Sequence, residues 1–477
     1  MTATTTNTTD QSIRRIFALQ QAHLQELKLT TAAQRIRKLK KLEAYLLDDG
    51  NFKALCEAMN ADFHKPEAEV FLTEIGVVQS QIRYICRNLR HWMQPKSVST
   101  LLPLAGTGSY ILCEPKGQAL IISPWNYPVN LAFGPLAYAI AAGNAVIIKP
   151  SELAPHTSAF IKKTVQQLFD EKEVAVVEGD VQTAQALLDM PFNHIHFTGS
   201  PHVGKIVMAA AAKHLASITL ELGGKSPVII DDTANITSHA AKIAWAKLMN
   251  NGQTCIAPDY VLLPTAKLPA FTTAFKKAVN QYYNPNNSGI KTSQDLARMV
   301  NVRNFQRVKQ LIDDAVSKGA TVEMGNSYDE QDRYIEPTLL TGITETMSIM
   351  EEEIFGPVLP VLTYDHLDQA LAIVNRRPKP LTMYIASSSN RHIDYILKHT
   401  SAGTSCINDY NLGFSNTDLP FGGVNNSGIG KSLGYHGFES FSNERSIIRR
   451  YLGTLSPLFP PFSKFTLKLG KFFYKLT

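Results

Sequence analysis

From Gly117 onward, short apolar runs alternate with stretches whose apolar positions recur every three or four residues. Residues 119–122, 145–148, 174–177, 194–197 and 227–230 read as strands buried on both faces. Residues 158–169 and 201–214 read as the helices that cross between them. That alternation predicts a βαβ array around a parallel sheet, and a second array runs from about residue 234 to residue 407. Before both, Ile36, Leu39, Leu42, Leu46 and Leu47 stand at helical spacing among Lys and Arg, which predicts a solvated amphipathic helix within residues 31–60. The chain opens with polar residues, without a basic start or an apolar core, so residues 1–25 are expected to form a disordered tail rather than a signal peptide.

The other end has its own pattern. Lys464, Lys468, Lys471 and Lys475 fall on one helical stripe, with Phe465, Leu469, Phe472, Phe473 and Leu476 on the adjacent face. No acidic residue follows Arg445. Residues 451–477 therefore predict a basic amphipathic tail suited to a lipid interface and too short to span one. The competing reading docks its apolar face on the body or on a partner subunit.

Composition narrows the class. A chain of 477 residues with 44% hydrophobic and 18% charged residues is large enough for two or three domains with substantial cores. Its five cysteines are widely spaced and contain no Cys-x-x-Cys pair, so neither a disulfide framework nor a metal site is expected, and a reducing, cytoplasmic location is favoured. The net charge of +6 comes from basic residues mixed with acidic ones. Without an arginine-aromatic stripe, nucleic acid is not an expected partner.

Candidate chemistry centres on Cys255 in Gly252-Gln253-Thr254-Cys255 and Glu221 in Leu220-Glu221-Leu222-Gly223-Gly224-Lys225. A thiol can attack a carbonyl carbon, and a carboxylate can deprotonate the water that later frees the acyl group. Asn126, in Pro124-Trp125-Asn126-Tyr127-Pro128 after the strand 119–122, can donate to an oxyanion. Each has a blander reading: buried filler for a lone Cys, a turn residue for Asn. The segment from Phe197 to Ile206 offers a strand, a small-residue turn at Gly199-Ser200 and a helix start, where backbone N–H groups can face a pyrophosphate. It mimics Gly-x-x-x-x-Gly-Lys, but Ile206 stands where a magnesium-binding Ser or Thr belongs, which argues against ATP hydrolysis. Lys149 and Glu152 follow the strand 145–148; a Lys suits a 2′-phosphate and a carboxylate suits a free ribose, so NAD and NADP both stay open.

Seven segments in order resemble motifs of the aldehyde dehydrogenase superfamily. Besides those around Asn126, Gly199, Glu221 and Cys255, they are Ile148-Lys149-Pro150-Ser151-Glu152, Glu353-Ile354-Phe355-Gly356-Pro357 and Pro420-Phe421-Gly422-Gly423. Cys255-Ile256-Ala257-Pro258-Asp259-Tyr260 and Tyr435-His436-Gly437 look most like the class 3 branch, which includes fatty and aromatic aldehyde dehydrogenases. The resemblance implies an α/β chain of two doubly wound βαβ domains, one cofactor-binding and one catalytic, plus a small oligomerisation flap. The expected boundaries are 26–100 and 117–221 for the dinucleotide-binding domain, 222–415 for the catalytic domain, and 101–116 with 416–450 for the oligomerisation segment.

The resemblance further implies NAD(P)-dependent oxidation of an aldehyde, aliphatic or aromatic, through a Cys255 thiohemiacetal and thioester. Glu221 would activate water and Asn126 would hold the oxyanion. Cofactor contacts are implied at Trp125, Lys149, Glu152, Gly199, Ser200, Gly223, Glu353 and Phe355, and substrate contacts at Tyr127, Phe414 and His436. A homodimer is implied, and membrane attachment of the tail would suit long apolar substrates. Competing readings are a hydroxycinnamaldehyde (coniferaldehyde) dehydrogenase, a nucleotide-independent thiol acyltransferase or esterase, and a noncatalytic protein on the same fold.

Overall fold

The computed structural model describes residues 8–101 and 104–475. Five apolar strands form a parallel sheet in the order Ser217–Leu222, His194–Gly199, Gln118–Ile122, Ala145–Lys149, Val174–Val176, with the short antiparallel strand Gly428–Ile429 added beside Ser217–Leu222. Alternation sends Ile121, Val146 and Ile148 to a core shared with the helices Ala32–Leu46, Gly76–Trp92 and Asn130–Ala142. Leu120, Ile147 and Ile195 go to the opposite face, against Asp10–Lys28, Val181–Leu188 and Pro201–Ala212. The strand order reverses between Gln118–Ile122 and His194–Gly199. At such a reversal, loops leaving the carboxyl ends diverge and open a crevice.

A second sheet has the order Thr321–Met324, Thr338–Thr341, Val358–Tyr364, Tyr260–Pro264, Pro227–Ile230, Thr382–Ala386, Thr404–Ile407, parallel except for its first strand. Apolar clusters cover both of its faces. The two doubly wound sheets follow the expected fold class. A third, antiparallel sheet joins Lys96–Val98, Thr107–Pro115 and Ser442–Arg450, the last two in unbroken register.

Several expectations are corrected. The tail expected to be disordered through residue 25 is helical from Asp10 to Lys28, capped by Thr9, with Ile13, Ile16, Phe17, Gln20 and Leu27 buried; residues 1–7 lie outside the described residues. The span 31–60 holds two helices rather than one, Ala32–Leu46 and Asp49–Phe63; on the first, Leu39, Leu42 and Leu46 enter the core while Arg37, Lys40 and Lys41 stay exposed, as the amphipathic pattern predicts. Residues 227–230, grouped by pattern with the first array, form a central strand of the second sheet, on the side of residue 222 where the expected domain boundary puts them. Of the segment 416–450, only Ser442–Arg450 enters the antiparallel sheet; the preceding stretch folds back over the first sheet.

The C-terminal helix, Lys464–Tyr474, begins at a Ser463 capping box and leaves Phe465, Leu467 and Phe472 exposed; Leu476 lies outside the described residues. Tyr451 and Leu452 donate their N–H groups to the Gly106 carbonyl. A chain ending at Leu452 keeps those bonds and every core cluster. Its melting temperature by differential scanning calorimetry should stay within about a degree or two of the full chain, as for other changes at exposed sites.

Candidate active site

The loop that carries Cys255 is built on backbone strain. After the helix Ile236–Leu248, Asn250 and Asn251 adopt left-handed φ values of 51° and 55°, a region that Asn tolerates better than most residues. Neighbouring groups hold them there. Glu69 accepts from the Asn250 N–H at 2.9 Å, and the Asn250 amide donates to the Asn126 carbonyl at 2.9 Å. Gln253 ties the loop to a second segment: its amide donates to Asn250 and Arg298 carbonyls, and its oxygen accepts from the Val300 N–H.

Asn126 lies 3% exposed at the end of the loop after Gln118–Ile122, its amide donating to the Gln253 carbonyl at 3.0 Å. One N–H of that amide is thereby fixed, and the other is left for a ligand. Beneath this loop is an ion pair between Lys65 and Glu74, 2.7 Å apart with neither side chain exposed to solvent. The Lys65 ammonium also reaches the Asn126 carbonyl at 3.4 Å and sits 4.0 Å from the Tyr127 ring centroid. Glu74 accepts from the Asn130 N–H at 2.8 Å. It projects from a single π-turn, Phe71–Ile75, of a kind found at functional sites.

Glu221, on Ser217–Leu222, has one carboxylate oxygen bonded by the Ser432 hydroxyl at 2.7 Å and the other without a partner. Burial pushes its pKa up to about 7, against the opposing pull of Ser432 and Lys431. Burial likewise pushes the Cys255 thiol up to about 12, with Glu353 and Glu221 adding to the rise.

Two cavities meet here. An apolar tunnel is lined by residues that include Tyr127, Leu131, Met249, Phe414 and Leu433. It shares Val77, Met249 and Phe414 with an outer mouth where Leu72, Trp245 and Leu412 are exposed. A larger, more polar cleft runs over Trp125, Gly199, Ser200, Gly223, Glu353 and Phe355. Cys255 and Thr198 are the residues that line both tunnel and cleft.

The cleft fits a dinucleotide. Gly199 and Ser200 lie at the start of the helix Pro201–Ala212, where N–H groups converge. A Cβ on Gly223 would fall 2.0 Å from the Glu353 carboxylate, so only glycine lets that carboxylate in. Glu353 has a buried oxygen without a partner, and burial raises its pKa to about 8. Trp125 and Phe355 meet edge to face at 5.4 Å. Lys149 and Glu152 pair at 2.5 Å beside the cleft, outside its lining.

The structure thus brings Glu221, Tyr127 and Phe414 to the tunnel and Trp125, Asn126, Gly199, Ser200, Gly223, Glu353 and Phe355 to the cleft, with Cys255 lining both. His436 departs from expectation. Its side chain is 40% exposed and faces Glu439 at 3.5 Å, while its neighbour Gly437 lines the tunnel. Lys65, Glu74, Gln253 and Ser432 were not singled out in the sequence. For Lys65 and Glu74, the one signal was a pair of charges flanking the apolar residues Val70, Phe71 and Leu72.

Comparison with known proteins agrees with this geometry. The model of the aldehyde dehydrogenase family matches residues 1–447. The chain is 42% identical to 4,4'-diaponeurosporen-aldehyde dehydrogenase of Staphylococcus aureus, over 88% of this chain and 90% of that one. It is 40% identical to aldehyde dehydrogenase family 3 member B1 of Rattus norvegicus, over 92% of each. Among solved structures, substrate-bound AldH of Staphylococcus aureus superposes with a TM-score of 0.92 at 39% identity, covering 97% of this chain and 99% of that one.

Replacing Lys65 by Met leaves the Glu74 carboxylate buried beside no cation. That substitution should cost about 3–5 kcal/mol of stability, read as a lowered urea midpoint. Adding Glu74→Gln should recover part of the loss, since the lone charge is then gone.

Proposed function

The chain belongs to the aldehyde dehydrogenase family, and we propose that Cys255, Asn126 and Glu221 carry its NAD(P)-dependent oxidation of a long apolar aldehyde to the carboxylic acid. The supporting observation is the position of Cys255, where an apolar tunnel and a dinucleotide-sized polar cleft meet. An aldehyde entering from one side reaches the thiol with its chain in the tunnel and its carbonyl toward the cleft.

Cys255 gives its proton to water and adds to the carbonyl carbon as the thiolate, and the oxyanion of the thiohemiacetal accepts from the free Asn126 N–H and the Cys255 backbone N–H. The dinucleotide, when bound in the cleft, supplies the hydride acceptor. Glu221 then takes one proton from the water that attacks the thioester, the other stays on the product, and the acid leaves with the Cys255 thiolate restored. With its carboxyl shifted up to about 7, Glu221 is protonated and inactive as a base at lower pH. Thioester hydrolysis should therefore rise as pH increases through about 7 and level off above it. A profile flat across that range would remove Glu221 from this role.

The apolar lining of the tunnel and its exposed rim favour long aliphatic chains over compact aromatic aldehydes. With NAD and NADP tested in parallel at 340 nm, kcat/KM should rise from hexanal to dodecanal, at up to about 0.8 kcal/mol per methylene held in the tunnel, and exceed that for coniferaldehyde. Cys255→Ala should abolish the signal, and Asn126→Ala should lower turnover by about 10²-fold. Faster turnover of coniferaldehyde would favour the hydroxycinnamaldehyde reading.

Two further features support a homodimer that touches membranes peripherally. Ser442–Arg450 is an edge strand nine residues long, mostly exposed and free to add a strand from a second copy. The helix Lys464–Tyr474 sets Phe465, Leu467 and Phe472 out in solvent alongside Lys464, Lys468 and Lys471, with Phe459 and Phe462 exposed just before it. Apolar side chains of this kind enter a lipid interface while the lysines meet anionic headgroups. Among the described residues no helix is long and apolar enough to cross a membrane. Full-length protein should cosediment with vesicles containing phosphatidylserine, and a chain ending at Leu452 should stay in the supernatant. Equal binding by both would exclude the tail as the lipid contact.

A further inference from the structure

Two neighbouring strands carry polar groups that the chemistry above leaves unused. His194–Gly199 and Ser217–Leu222 pair in parallel with Thr198 opposite Glu221, His196 opposite Thr219 and His194 opposite Ser217. Strand alternation therefore puts six polar side chains on one face of the sheet. Glu221, Thr198 and His196 line the tunnel and are each less than a tenth exposed. One oxygen of Glu221, the Thr198 hydroxyl and His196 Nδ1 all lack a protein partner. Buried polar atoms around a cavity are where ordered water resides. Farther along, His194 Nε2 lies 3.4 Å from the Thr219 hydroxyl and Nδ1 lies 2.9 Å from the Ser217 hydroxyl, which donates to the Asn193 carbonyl in an exposed contact.

We propose that this face is a proton exit, in which water held by Glu221, Thr198 and His196 passes the proton collected by Glu221 along His196, His194 and Ser217 to solvent. The proposal rests on Glu221 acting as the base in thioester hydrolysis. In that step the new C–O bond forms, the C–S bond breaks, and one proton of the attacking water stays on Glu221. No electrons move. The carboxyl must lose that proton before the next turnover, and at 7% exposure it meets little bulk water directly. A neutral imidazole accepts at one ring nitrogen and releases from the other. Burial holds His196 down at about 4, so the ring is neutral between transfers, and Phe441 stacks on it at 5.9 Å and fixes its plane. His196 acts through Glu221 and is a positioning residue for the water.

Single turnovers with dodecanal test this, following reduced cofactor at 340 nm and the acyl-enzyme by acid quench and intact mass. In His196→Leu the burst should keep its rate while thioester hydrolysis slows by about tenfold and the acyl-enzyme accumulates. Thr198→Val, nearly isosteric, should slow the same step. In His196→Ala, added imidazole should restore hydrolysis and pyrrole, which fills the same space without an acceptor nitrogen, should not. Hydrolysis at the parent rate in His196→Leu and Thr198→Val would overturn the proposal, as would equal loss of burst and hydrolysis, the sign of a packing role. Glu221→Gln separates the two ideas: if it hydrolyses normally, the base assignment fails and the relay with it, whereas slow hydrolysis there with a normal His196→Leu removes the relay alone.

Discussion

Removal of water from around three ionisable groups is the constraint that organises this protein. Cys255, Glu221 and Glu353 come from different segments and are enclosed at the junction of a tunnel and a cleft. Burial is the first cause of the rise in each pKa, to about 12, 7 and 8 respectively. Desolvation disfavours every charged form, and the two carboxylates further oppose a thiolate between them. Burial therefore favours the protonated thiol in the resting state. A carboxyl near neutrality is at the same time suited to taking a proton from water.

Enclosing such groups without disorder requires a stiff surround. The fold supplies one from strand ends and from buried polar contacts that arrive from far along the chain. Lys65 and Glu74 hold the Asn126 loop from below, Gln253 bolts the Cys255 loop to residues 298–300, and Lys225 pairs with Asp259 while donating to the Ile349 and Glu352 carbonyls. Asp259 in turn accepts from the Ile354 N–H beside Glu353. An ion pair buried this deeply contributes little net stability against its desolvation, so its value here is in fixing position. The returning segment 421–434 closes the other side and delivers Ser432 to Glu221.

What the sequence made visible follows from this arrangement. Strand-end loops concentrate their chemistry into a few adjacent residues, so Asn126, Gly199, Glu221 and Cys255 stood out as motifs and the two βαβ arrays could be read from period alone. Groups that act from a distance left little local mark: Lys65, Glu74, Ser432 and His196 become meaningful only once the fold brings them together. The apolar run 227–230 carries no sign of which sheet it joins, because a strand buried on both faces looks the same in either. The helix Asp10–Lys28 did leave a signal, with Ile13, Ile16, Phe17 and Gln20 at helical spacing, and the polar residues before it hid that signal. His436 shows the opposite error, a residue beside the tunnel whose own side chain turns outward.

The two cavities also bear on how the product leaves. An aldehyde and a thioester are uncharged and can remain in an apolar tunnel at little cost. Hydrolysis converts the same chain into a carboxylic acid whose ionised form is costly to keep out of water and is repelled by a neighbouring carboxylate. Glu221 stands on the tunnel side of Cys255, so an ionised product faces like charge once Glu221 has lost its proton. In the proposed cycle, clearing that proton thus does two things: it restores the base and it drives the product out. A tunnel that admits a long neutral chain is, by the same desolvation, a poor place for its oxidised form.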